Sequence, residues 1–265
     1  MEVFGTKAQK RMAVAGEHLI NMMGDDPRFC SHGRGIQVSN EHEGALKDAI
    51  AMARVLGITA IETVPRDKVD ETRIEIARHG LKADVIACYL GDLGCVDRAR
   101  EVLATRSLPE DLTVRVIDRD APPEWLEAFA KVALIHGVLP PVGPVMRGLS
   151  RPGFAMVAFD GSGAPIATAG SVLCHPPSSP HHRRAQWGQL STHPERLGQG
   201  IAKVLGAKAL VHSHEVLGAT GFKTGIAPGN IPSARLCEGL GFSDSGRDII
   251  ALIDPEIYGE DRLTK

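Results

Sequence analysis

The sequence predicts a mixed α/β fold. Three observations carry that prediction: segments of helical period alternate with short β-branched runs along most of the chain, one pair of strands forms a clear hairpin, and a late apolar strand runs through a glycine-rich turn into a helix. The elements follow in order. Met12, Ala15, Leu19, Met22 and Met23 fall at helical spacing between Lys7 and Met23, and Gly24-Asp25-Asp26-Pro27 stops that helix. A polar, glycine-rich stretch from Cys30 to Gly44 reads as loop. A second helix spans Ala45 to Leu56 and ends at Gly57. Ile58 to Val64 is β-branched and reads as a strand, Asp67 to His79 as a helix, Val85 to Leu90 as a buried strand, and Arg98 to Thr105 as a short helix.

A fresh start follows Pro109 to Leu112. Thr113 to Ile117 alternates as a strand, and Pro122-Pro123 suit the first turn of a helix running to His136. Gly137 to Pro144 holds too many prolines for a helix or a central strand. Phe154 to Phe159 and Ile166 to Cys174, joined by Asp160-Gly161-Ser162-Gly163, form the hairpin. The remainder reads as a strand from Gln186 to Thr192, a helix from Gly200 to Leu217, a strand from Thr220 to Ile226, a helix from Pro232 to Leu240 and a strand from Asp248 to Ile253. The chain thus divides into residues 1–110, a smaller α/β domain, and residues 111–265, a larger one.

Composition excludes several functions. The 30 Lys and Arg against 32 Asp and Glu leave a formal charge of -2, without the basic footprint of a nucleic-acid binder. Seven Phe, two Tyr and two Trp are too few for base-stacking platforms. No apolar run is long enough for a membrane helix, and the N-terminus lacks the basic, apolar, small-residue order of a signal peptide. The five cysteines are dispersed and include no C-x-x-C, so a cytoplasmic chain with reduced thiols is expected. No metal is expected either. His212 and His214 point to different faces of one helix, and Cys30 and His32 have no matching second pair nearby.

The strongest local signal is Leu190 to Ala202. Gly198 and Gly200 remove the Cβ atoms that would block a ligand, and the helix that follows presents unpaired N–H groups and the positive end of its dipole. The combination suits a phosphate or pyrophosphate. A dinucleotide fingerprint would require glycine where Lys203 stands, and neither a Walker-type loop nor a nucleophile elbow occurs. Some thirty residues on, Asn230, Ser233, Leu236, Gly241 and Phe242 form a second block.

In order and spacing the two blocks resemble those of the GNAT superfamily of N-acetyltransferases, over roughly Thr113 to Tyr258. The resemblance implies a GNAT acyl-CoA N-acyltransferase fold preceded by the smaller α/β part. It implies acetyl-CoA as co-substrate, an amine as acceptor, and direct acyl transfer. Gln189, Leu190, Ser191 and Thr192 would pair with the pantetheine arm. Leu197, Gly198, Gln199, Gly200, Ile201 and Ala202 would cradle the pyrophosphate. Asn230 and Ser233 would line the other side of the cofactor. Three positions depart from the family pattern. Leu197 replaces a usual Arg or Gln, with Arg196 beside it. Gln186 and Gln189 stand in the strand where many members carry a basic Glu, and His175, His181, His182 and His193 lie in the flanking loops. Cys237 replaces the frequent Tyr, which makes it a candidate proton donor, although a lone Cys on a buried helix face more often simply packs. The missing Glu and Tyr leave a non-catalytic acyl-CoA-binding module as the alternative function. Acceptor identity and oligomeric state are not encoded in these patterns.

An internal similarity concerns residues 1–110. Aligning Val55-Leu56-Gly57 with Val216-Leu217-Gly218 gives an offset of 216 − 55 = 161, which also places Thr59 on Thr220, Thr63 on Thr224 and Gly80 on Gly241. After a three-residue shift, Asp84 to Ala87 matches Asp248 to Ala251. The first part reads as a degenerate half of the same fold, without a glycine cradle, packing beside the catalytic sheet; chance similarity between two α/β segments is the other explanation.

Overall fold

The computed structural model describes residues 1–259. Its first part contains α1 (Lys7–Met23), β1 (Phe29–Cys30), β2 (Gln37–Ser39), α2 (Ala45–Leu56), β3 (Ile58–Pro65), α3 (Val69–Arg78), β4 (Lys82–Gly91) and α4 (Gly94–Thr105). The rest follows as β5 (Thr113–Ile117), α5 (Pro123–Ile135), α6 (Gly143–Met146), β6 (Gly153–Phe159), β7 (Pro165–Leu173), β8 (Arg184–Thr192), α7 (Ile201–Leu217), β9 (Gly221–Ile226), α8 (Ile231–Glu238) and β10 (Ser243–Ile253). Two expectations are corrected. The stretch from Cys30 to Gly44 is not all loop, because Phe29–Cys30 and Gln37–Ser39 pair as a two-strand edge whose five residues are all buried. Gly143 and Pro144 open the short helix α6, where a proline in the first turn gives up no intrahelical hydrogen bond.

The ten strands of the described residues form one sheet, in the order β1-β2-β3-β10-β4-β9-β8-β7-β6-β5. The first part therefore does not lie beside the second part's sheet: its strands belong to it. The last strand, β10, runs antiparallel between β3 and β4, with Ile250 opposite Ile61 on one side and Ile249 opposite Ile86 on the other. Outward from the β10–β4 pair, the pattern is the same in both directions. β3 and β9 pair antiparallel to β10 and β4. β2 and β8 lie parallel to β3 and β9, and β1 and β7 pair antiparallel to β2 and β8.

Alternating side chains build the layers, as the two-residue period of a strand requires. On β6, Phe154, Met156 and Ala158 join the core under α4, α7 and α8, whereas Ala155 and Val157 join Leu126, Phe129 and Ala133 of α5 on the other face. Trp187 of β8 centres the first core. It stacks on Phe242 at 4.8 Å between ring centroids, and its indole N–H donates to Gly206 O at 3.2 Å. A Cβ at Gly206 would stand 3.0 Å from the indole, so α7 approaches the sheet this closely only through glycine. A separate core under α2 and α3 collects Ile61, Val64, Ile76, Ile250 and Leu252. The sheet curls enough that the Ser31 N–H, just past β1, donates to Cys174 O, just past β7, at 3.2 Å. Among the described residues no helix is long and apolar enough to cross a membrane.

Candidate functional site

The candidate site begins where β8 and β9 part. The two strands pair in parallel only from Arg184–Gly221 to Gln186–Lys223. Beyond Gln186, β8 runs six residues further to Thr192 beside β7 alone, so one backbone edge faces away from any strand. A bulge marks the departure: Gly188 and Gln189 take positive φ values of 137° and 56°, and the β7–β8 register shifts between Thr168 and Gly170. Positive φ at a non-glycine residue is uncommon and costs free energy, which makes it a pointer to function. The Thr168 hydroxyl holds the bulge by donating to Gln189 O at 2.7 Å. In this stretch Gln186 Oε1, Gln189 Oε1, Ser191 Oγ and Thr192 Oγ1 are buried without a hydrogen-bond partner among the described residues. The unpaired backbone edge of such a strand can take up an extended ligand that carries amides, as an added strand would.

At the end of β8 the chain makes a short 3₁₀ turn, Pro194–Arg196, and passes Gly198 and Gly200 with φ of 78° and 74° before entering α7. No side chain caps α7, and its first turn holds no acidic residue. Its leading N–H groups and dipole are therefore open to an anion. Leu197 to Gly200 are all exposed, Leu197 at 58%. Arg196 is committed elsewhere. Its guanidinium is bidentate to Asp111 at 2.8 and 3.0 Å, and its Nε donates to Gln199 Oε1 at 3.0 Å. The cations that approach the cradle come from residues the motif does not contain. Arg106, at the end of α4, lies 4.0 Å from where a Cβ on Gly200 would stand, and Lys203 in the first turn of α7 shares a shallow cleft with Arg98, Arg106 and Glu238. Sequence patterns near Gly198 could not reveal Arg106, which the sheet topology delivers from the first part of the chain.

The second block takes a structural position. Asn230 caps α8, its side-chain oxygen accepting from the Ser233 N–H at 3.2 Å, and both positive-φ Gly241 and Phe242 pack that helix onto the core beside Cys95. Cys237 is 4% exposed in the same core, and burial pushes its thiol up to about 12.

On the other face, at the closed end of the β8–β9 gap, sits a buried polar group that sequence reasoning missed. Lys223 of β9, 1% exposed, is ion-paired with Glu62 of β3. The two positions differ by 223 − 62 = 161, the same offset as the internal similarity. Desolvation pulls the Lys223 amine down to about 8. His175 Nε2 stands 3.4 Å from Glu62 Oε2. Of the loop histidines, His175 is thus buried, while His181 reaches across to Glu41 at 2.5 Å and His182 Nδ1 donates to Ser179 O at 2.9 Å.

Residues 119–242 match the acetyltransferase (GNAT) family model. A GCN5-related N-acetyltransferase from Kribbella flavida superposes with a TM-score of 0.57 at 17% identity, covering 92% of this chain and 95% of its own. A Drosophila protein of structural-genomics origin gives 0.54 at 14% identity, covering 83% and 71%. A tandem GNAT protein from the clavulanic acid biosynthesis pathway gives 0.51 at 16%, covering 86% and 76%. No curated protein matches the sequence. At these identities the structural likeness establishes the fold: a mixed α/β sheet with a GNAT-like domain and an additional α/β region.

Proposed function

We propose that the second part of the chain binds acetyl-CoA between β8 and β9 and transfers its acyl group directly to an amine. The observation that carries this is the parting of β8 from β9 after Gln186, followed without interruption by the open glycine cradle at the head of α7. Gln189 to Thr192 would pair with the pantetheine amides. The N–H groups from Leu197 to Ala202 would hold the pyrophosphate, and Arg106 and Lys203 add the positive charge that Arg196, tied to Asp111, does not. Asn230, which caps α8, and Ser233 would line the other side of the cofactor.

Cys237 is assigned to packing. Donating a proton from a thiol held at about 12 to a thiolate of ordinary pKa near 8.5 is uphill by roughly 5 kcal/mol. Neither Gln186 nor Gln189 can accept a proton. A chain that binds acetyl-CoA without turning it over is therefore the second reading, and it draws on the same observation. Titration with acetyl-CoA tests binding, and release of CoA thiol with a panel of amines separates the two readings. No binding at millimolar ligand would remove both.

The first part is, on this proposal, a degenerate copy. Its β1-β2-α2-β3-α3-β4 follows the same course as β7-β8-α7-β9-α8-β10, and the strand order outward from the β10–β4 pair is shared. Gly57 and Gly218 close α2 and α7 in the same left-handed conformation. The tandem architecture named for one similar structure agrees with this.

A further inference from the structure

A cluster outside the cofactor site lies where the curled sheet brings the exit of β1 against the exit of β7. The sulfurs of Cys30 and Cys174 and a ring nitrogen of His175 all lie within 4.8 Å of one another, and all three residues are buried. The His175 side chain is 1% exposed, yet neither ring nitrogen has a hydrogen-bond partner among the described residues. A buried imidazole packed against two free thiols, with no hydrogen bond of its own, calls for something to bind.

We propose that Cys30, Cys174 and His175 hold a single zinc ion that joins the two parts of the chain. Two thiolates and an imidazole are the donors that a tetrahedral, borderline-soft dication selects. Zinc–sulfur and zinc–nitrogen bonds of about 2.3 and 2.0 Å set neighbouring donors about 3.5–3.8 Å apart, so these side chains need close only by an ångström or so. The fourth position has two neighbours with oxygen donors. Gln37 Oε1 is 3.7 Å from Cys30 Sγ, and Glu62 Oε2 is 3.4 Å from His175 Nε2. The charges also close. A dication with two thiolates is neutral, and the adjoining Glu62–Lys223 pair is neutral, so the loaded site buries no net charge. The ligands stand 174 − 30 = 144 residues apart in sequence, which hid them from any spacing rule.

The test uses the full chain, purified under reducing conditions without chelator. Elemental analysis should find about one zinc per chain, and cobalt titrated into the stripped protein should give a thiolate-to-metal charge-transfer band with tetrahedral d–d bands. Cys30→Ser, Cys174→Ser and His175→Gln should each abolish the band, while Cys88→Ser, at another buried thiol, keeps it. Should the ligand variants not fold, maleimide labelling of the native wild-type chain decides: Cys30 and Cys174 should be protected by zinc and become reactive on adding chelator. A folded, stripped wild type that shows no cobalt–thiolate band, or a chain isolated under reducing conditions with Cys30 and Cys174 joined as a disulfide, overturns the proposal.

Discussion

The N-termini of α2 and α7 occupy corresponding places, each following a strand that lies parallel to the next, and they are prepared for opposite partners. Both begin on a left-handed glycine without a side-chain cap, Gly44 at φ 88° and Gly200 at 74°. The loop into α2 carries Glu41 and Glu43, and Asp48 already occupies the first turn, paired with His42 at 3.1 Å and Arg28 at 3.5 Å. The positive end of that helix is answered by the chain's own carboxylates. The first turn of α7 has no acid, and Arg106 and Lys203 stand near it. The strands differ too. β2 pairs with β3 over all of its residues, whereas β8 continues past its last pairing with β9 for six residues. Backbone shape alone does not make an anion site; the cradle requires an unpaired strand edge before it and a first helical turn without acid.

Residues 1–110 expressed alone should give a disordered circular-dichroism spectrum, because β10 stands between β3 and β4 in the sheet and supplies Ile250 and Leu252 to their core. A cooperatively melting fragment would mean that the first part folds independently. Next, Gly200→Val and Gly44→Val impose similar strain on a left-handed backbone, about 1–2 kcal/mol each. Gly200→Val should weaken acetyl-CoA binding at least about tenfold, while Gly44→Val leaves affinity unchanged, both read by calorimetry. Equal losses would make the effect one of stability alone.

Smaller effects sharpen the electrostatic side. Lys203→Glu and Arg106→Glu should each weaken acetyl-CoA about three- to tenfold, less at high salt. Arg196→Ala should change affinity less than about threefold, since Asp111 already holds the guanidinium. A larger loss would return Arg196 to the phosphate site. Cys237→Ala should lower stability by about 1 kcal/mol through the lost sulfur and leave the turnover number unchanged.

Much of this was legible locally. Gly198, Gly200 and Asn230 mark a strand-turn-helix and a helix cap by residue type, and the Gly57/Gly218 correspondence follows from two helices that end alike. The strands β1 and β2 were not legible, because two and three residues are too few to show a period. The place of β10 was not legible either: its apolar run tells that it is buried, not between which strands. The same long-range pairing brings Glu62 to Lys223, Cys30 to Cys174 and Arg106 to Gly200, and no local pattern anticipates contacts that a shared sheet creates.

The most direct test of the central claim is calorimetric titration of the full chain with acetyl-CoA, beside Gly200→Val and Gly44→Val. About one site per chain is expected, weakened at least about tenfold in the first variant and unchanged in the second. No binding, or a site unchanged by Gly200→Val and weakened by Gly44→Val, would contradict the claim.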